Sequence, residues 1–167
     1  CQLGHSECAQ LLLTANAAVN QAEKDGSSPL YIACQQGQSE CTQLLLAANA
    51  PISQEMKDGR TPLYAACHLG QSDCARLLLD AHAAADQAEK DGRTPLYVAC
   101  QEGQSECARL LLAANASVDQ AEEDARTPLF ITCQLGHSEC AQLLLTANAA
   151  VNQAGDDGRS PLYIACQ

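Results

Sequence analysis

The chain has 167 residues and a formal net charge of −11, with nine Lys and Arg against twenty Asp and Glu. That balance opposes nucleic-acid backbones and anionic membranes, both of which repel an acidic mean field, and it favours basic partners. One Phe, four Tyr and no Trp leave no aromatic cluster for base stacking or a cofactor slot. No apolar run approaches the roughly 20 residues that span a bilayer, so membrane insertion is not expected.

The sequence repeats every 33 residues without an insertion. Asp25, Asp58, Asp91, Asp124 and Asp157 open successive copies, the third reading DGRTPLYVACQEGQSECARLLLAANASVDQAEE. Residues 1–24 are the last part of an earlier copy, 25–57, 58–90, 91–123 and 124–156 are full copies, and 157–167 begin another. A strict period of this length predicts a solenoid of stacked units, each leaning on its neighbours, rather than a globule.

Within a copy the elements follow in order. Thr61, Thr94 and Thr127 precede Pro62, Pro95 and Pro128, an N-cap followed by proline at the first helical position, where its missing N–H costs nothing. A first helix of about two turns starts there. Gly37, Gly70, Gly103 and Gly136 end it, because glycine accepts the left-handed conformation that closes a helix. Ser39, Ser72, Ser105 and Ser138 are then expected to cap a second helix that carries the leucine triplet and fades at Asn49, His82, Asn115 and Asn148. The polar stretch that follows, such as Asp119–Glu123 into Asp124, is expected to project as a hairpin-like finger. Ala125 replaces the usual glycine of that finger and predicts that it is slightly strained or differently shaped.

The repeated words T/S-P-L plus an aromatic and a small pair, G-[HQ]-S-[ED], and the leucine triplet Leu110–Leu112 stand in one register throughout. In these the chain resembles ankyrin repeats over its whole length. It departs from that pattern in three ways: Tyr or Phe stands where the T-P-L-H histidine is usual, Cys fills two core positions, and Asn or His replaces the glycine after the second helix. The resemblance implies an all-α ankyrin-repeat solenoid of stacked helix-turn-helix units with hairpin-like fingers. It also implies a non-enzymatic protein–protein interaction scaffold whose partners bind the concave face formed by fingers and first helices.

On that face stand Arg60, Arg93, Arg126 and Arg159 of the fingers, beside Asp58, Asp91 and Asp124. The first helices contribute Gln35, His68, Gln101 and Gln134, next to Gln36, Leu69, Glu102 and Leu135. Arginine forks suit interfaces and carboxylate contacts. The competing reading has each Arg pairing with its neighbouring Asp to hold the finger row together.

Eleven cysteines occupy only two positions of the unit. Cys1, Cys34, Cys67, Cys100, Cys133 and Cys166 fall near the end of the first helix, and Cys8, Cys41, Cys74, Cys107 and Cys140 near the start of the second. In a helical hairpin, Cys1–Cys8, Cys34–Cys41, Cys67–Cys74, Cys100–Cys107 and Cys133–Cys140 could form intra-repeat disulfides if their Cα atoms lie within about 7 Å. Both positions equally suit small buried hydrophobes, which reduced thiols are. Reduced thiols imply a cytoplasmic protein, and oxidised pairs an extracellular one.

Cys1, His5 and Cys8, or Cys133, His137 and Cys140, offer soft ligands, but the histidine position is Gln in the other copies and structural zinc wants four ligands. A thiol repeated in every unit argues for packing, whereas a nucleophile needs one activated environment. No phosphate loop, activated serine or isolated acid departs from the repeat pattern, so no catalytic residue, metal or cofactor is assigned.

The chain begins without Met or a basic-then-apolar leader pattern, and both ends cut through a first helix. Residues 1–22 recur letter for letter at 133–154. Further repeats of a longer array are therefore expected at the ends. The alternative is a structural filament or spring in which copies stack head to tail, covering Leu11, Leu12 and Leu13 with Leu162 and Ile164.

Overall fold

The computed structural model describes residues 5–167. These form ten helices and, among the described residues, no strand. They are α1 (Ser6–Thr14), α2 (Pro29–Gln35), α3 (Ser39–Ala47), α4 (Pro62–His68) and α5 (Ser72–Asp80), followed by α6 (Pro95–Gln101), α7 (Ser105–Ala113), α8 (Pro128–Leu135), α9 (Ser138–Thr146) and α10 (Pro161–Ala165). The even-numbered helices stack on one another in one row and the odd-numbered in a second, and each even helix from α2 to α8 packs against the odd helix that follows it. The expected all-α solenoid is what the chain forms.

The T-P-L words start the even helices as expected. Tyr64 N–H donates to Thr61 Oγ1 and Tyr97 N–H to Thr94 Oγ1, both at 3.1 Å, and Phe130 N–H to Thr127 Oγ1 at 3.2 Å. Ser28 and Ser160 cap α2 and α10 in the same way. At the other end, Gly37 takes φ +67° and lets Gln38 N–H reach back to Ala33 O at 2.8 Å, closing the helix in the left-handed cap that glycine permits.

The cap expected for the second helices is corrected. Ser39, Ser72, Ser105 and Ser138 are the first residues inside α3, α5, α7 and α9, and the cap positions are Gln38, Gln71, Gln104 and His137. None of these four makes a side-chain cap bond. Three of the side chains are committed elsewhere: Gln71, Gln104 and His137 lie over Gly37, Gly70 and Gly103 of the preceding repeat, where a Cβ would collide with them. The turn glycine thus serves twice, as a helix terminator and as the seat for the next repeat.

Asn49, His82, Asn115 and Asn148 end the second helices at φ between +59° and +64°. Ala125 also stands at φ +59°, where the other fingers carry Gly26, Gly59, Gly92 and Gly158, so the strain expected at that finger is present. The fingers are turns rather than strands. Each closes on itself, as in Met56 N–H to Arg60 O at 2.9 Å, and donates one backbone bond to the finger before it: Lys57 to Asp25, Lys90 to Asp58, Glu123 to Asp91 and Asp156 to Asp124, at 3.0–3.1 Å.

The core runs the length of the stack. The middle leucine of the triplet in each of the four full copies, Leu45, Leu78, Leu111 and Leu144, is buried between the helix rows, as are Leu30, Leu63, Leu96 and Leu129. Each contributes roughly 1.5–3 kcal/mol of burial. At the two ends, Leu11, Leu12 and Leu162 are exposed as expected. Ile164 is not: it lies buried, because its side chain turns back onto the stack while Leu162 and Tyr163 face outward. Leu13 is partly covered against the core.

Candidate functional site

The finger arginines are built into the row rather than left free. Arg60 Nε lies 3.3 Å from Asp58 Oδ2, Arg126 Nη2 3.7 Å from Asp124 Oδ2, and Arg159 Nε 3.6 Å from Asp157 Oδ2. The same guanidiniums lie over the aromatic that begins the next helix, Arg60 over Tyr64 at 5.6 Å, Arg126 over Phe130 at 6.0 Å and Arg159 over Tyr163 at 5.9 Å. The aromatic that replaces the usual histidine thus offers π-surface to the arginine, and at Tyr64 and Phe130 it also fills the core. Arg93 differs. No carboxylate pairs with its guanidinium among the described residues, and its Nε, like that of Arg60, is buried without a hydrogen-bond partner.

The ends of the first helices form a second line beside the fingers. His68 Nε2 lies 3.9 Å from Glu102 Oε1, and Gln101 Nε2 donates to the same oxygen at 2.8 Å. The imidazole of His137 meets the carbonyl of Gln101 at 3.0 Å, so its Nε2 carries the proton in that bond. Gln35 is half-buried and Gln134 exposed. Leu69 and Leu135 are 46% and 48% exposed, an apolar residue at the end of every second first-helix, with Gln36 and Glu102 at the alternate positions. The row thus holds the Glu102 carboxylate, two open leucines and, at Arg93, one guanidinium without a carboxylate partner among the described residues.

The thiols meet in a register the sequence does not single out. Cys34 and Cys74 flank one hydroxyl: Thr42 Oγ1 is 3.7 Å from Cys34 Sγ and donates to Cys74 Sγ at 3.6 Å. Cys67 contacts Cys107, and Cys100 contacts Cys140 beside Thr132. The structure therefore sets each of these first-helix thiols against the second-helix thiol of the following repeat. Cys34–Cys41, Cys67–Cys74, Cys100–Cys107 and Cys133–Cys140 are not joined as disulfides; Cys1–Cys8 lies partly outside the described residues. All ten described cysteines are free thiols. The hydrogen bond from the first-helix thiol, joined at Cys74 by that of Thr42, holds the Cys74, Cys107 and Cys140 thiols below the usual range, Cys74 at about 7. The partner's hydrogen bond and burial push Cys34, Cys67 and Cys100 up.

Two features carry no sequence signal of their own. Asp86 accepts from Ser117 N–H and hydroxyl at 2.8 and 2.7 Å, and Asp119 from Ala150 N–H at 2.8 Å, tying the loop after each of these second helices to the next repeat. Neither residue stands out in composition, because the same offset is Asn or Ser in the other copies. Among the described residues no group of three or more His, Cys, Asp or Glu is placed to hold a metal ion, and no helix is long and apolar enough to cross a membrane.

A comparison with curated proteins finds no match. The family model described as ankyrin repeats (3 copies) matches residues 1–56, 48–122 and 115–167, and with the stacked helix pairs this shows that the chain belongs to the ankyrin repeat family.

Proposed function

We propose that the chain is a non-enzymatic scaffold that binds another protein along the line formed by the fingers and the first-helix ends. Ankyrin repeats are generally protein–protein interaction modules. The observation that carries this reading is Arg93, half-buried, midway along the array and the one finger arginine whose guanidinium has no carboxylate partner among the described residues, with Leu69, Glu102 and Leu135 at the ends of successive first helices. A partner that supplies one acceptor to Arg93 and apolar contact to the two leucines satisfies what the line leaves open. Because the chain carries −11 overall, the remainder of that partner's surface is basic. Arg60, Arg126 and Arg159, engaged by aspartates and aromatic rings, shape the finger row and contribute secondary contacts, with Gln35, Gln101 and Gln134 as hydrogen-bonding rim.

Affinity capture from the native source, run in parallel with wild type and with Leu69→Ser and Arg93→Ala, tests this. The reading expects a partner retained by wild type, weakened at least tenfold by either variant and unaffected by Gln43→Ala on the outer face of α3. A partner retained equally by all four proteins would place the interface elsewhere.

A second reading, a self-associating filament, draws support from the exposed Leu11 and Leu12 at one end and Leu162 and Tyr163 at the other. Light scattering over a concentration series separates the two: constant mass supports the module, and mass that grows with concentration supports the filament.

A further inference from the structure

Three buried thiol pairs cross the three junctions between the four full copies. Cys34 and Cys74 join the first junction, Cys67 and Cys107 the second, Cys100 and Cys140 the third, and every one of these residues is at most 1% exposed. At the first junction a single hydroxyl, Thr42 Oγ1, touches both sulfurs at 3.7 and 3.6 Å. The same register recurs at the other two. Packing alone does not require this. Alanine stands at the Thr42 position in the next three copies, as Ala75, Ala108 and Ala141, which shows that a small apolar side chain fills this layer, whereas both thiol positions hold Cys in every full copy.

We propose that these pairs are covalent modification sites: a small peroxide oxidises Cys34–Cys74, Cys67–Cys107 and Cys100–Cys140 to disulfides that staple each repeat to the next. The inference stands apart from the binding function. In each pair the second-helix sulfur, as thiolate, attacks a peroxide oxygen; the O–O bond breaks, hydroxide leaves and takes up the thiol's proton as water, and a sulfenic acid remains. The first-helix sulfur then attacks that sulfur, the S–O bond breaks, and a second water leaves with the first-helix proton. Two thiols lose two electrons and two protons, and one peroxide becomes two waters.

The direction of attack follows the structure. Cys74, Cys107 and Cys140 sit in the first turn of α5, α7 and α9, where the helix N-terminus stabilises a thiolate. Their partners Cys34, Cys67 and Cys100 sit at the far ends of α2, α4 and α6, in the position of resolving thiols. Burial sets the rate: oxidant enters when the stack opens, so oxidation of these pairs is slow in the closed protein. Once formed, each bond closes a loop longer than a whole repeat, the case in which a crosslink most restricts the unfolded chain, and three bonds lace four repeats together.

The test uses the reduced, folded chain treated with hydrogen peroxide in native buffer, then denatured, alkylated and mapped by mass spectrometry. The expected result is a loss of two hydrogens per pair, with crosslinked peptides joining Cys34 to Cys74, Cys67 to Cys107 and Cys100 to Cys140, while the exposed Cys8 and Cys166 remain alkylated. The urea midpoint of the oxidised protein should rise and return on reduction. In Cys74→Ala, Cys34 should be alkylated while the other two links still form. Links joining Cys34 to Cys41 or Cys100 to Cys107, full alkylation of every thiol after treatment, sulfinic acid without crosslinks, or an unchanged midpoint would each overturn the proposal.

Discussion

Between one repeat and the next, the interior and the finger row solve the same joining problem in opposite ways. Inside, the solution recurs from step to step: a buried leucine over a buried leucine, a turn residue seated on the preceding glycine. On the fingers it changes from copy to copy. Asp58 holds the Arg60 backbone N–H and side chain, whereas Glu89 and Glu122 take over the backbone contact to Arg93 and Arg126, and the fourth finger bends at an alanine with positive φ. The interior is surrounded on all sides, so a change of volume is felt at once. A finger is held to the next by one backbone bond and otherwise meets water, so several side-chain arrangements serve.

The largest effect should come from the interior. Leu111→Ala empties a fully buried site at the centre of the array and should lower stability by about 2–5 kcal/mol in urea unfolding. Alkaline pH probes the same layer. Burial raises the Tyr97 phenol to about 12, against about 10 in an unfolded chain. The neutral phenol is the form the fold favours, so its contribution is intact below pH about 10 and is lost as pH rises from there through 12. Tyr97→Phe should therefore lose stability less steeply than wild type across that window, read by thermal melts at graded pH.

The finger variants should be smaller and of either sign. Ala125→Gly relieves a left-handed alanine worth roughly 1–2 kcal/mol, offset by the greater freedom of glycine in the unfolded chain, about 0.4–1 kcal/mol. A net gain of up to about 1 kcal/mol is expected, and a loss would show that Ala125 is not strained. Gln120→Ala should change stability by less than about 0.5 kcal/mol. If it rivals Leu111→Ala, the distinction between interior and fingers fails.

The interior is legible in the sequence because its periodicity is the cause of its packing: Thr-Pro starts, glycine ends and leucine triplets each act within one repeat. The second-helix cap is not, because the residues that decide it, Gln71, Gln104 and His137, are held by the glycine of another repeat. The thiol register is hidden for the same reason. Cysteines at two fixed positions fit a partner in the same repeat or in the next equally well, and only the stacking of α2 on α4 and α3 on α5 chooses between them. For the binding line, the residues and the pairing of an Arg with its neighbouring Asp can be read from the repeat, but the aromatic rings beneath three arginines, and the lack of a carboxylate partner at Arg93, emerge only in three dimensions.

Stability resides in the uniform interior rather than in the fingers, and native-state hydrogen exchange reads that division amide by amide. Amides within α4 to α7, such as those of Leu78 and Leu111, should exchange only through cooperative opening of the stack. The finger-to-finger amides of Lys57, Lys90, Glu123 and Asp156 should exchange at least tenfold faster through local opening. Equal protection along fingers and interior helices, or faster exchange in α4 to α7, would contradict it.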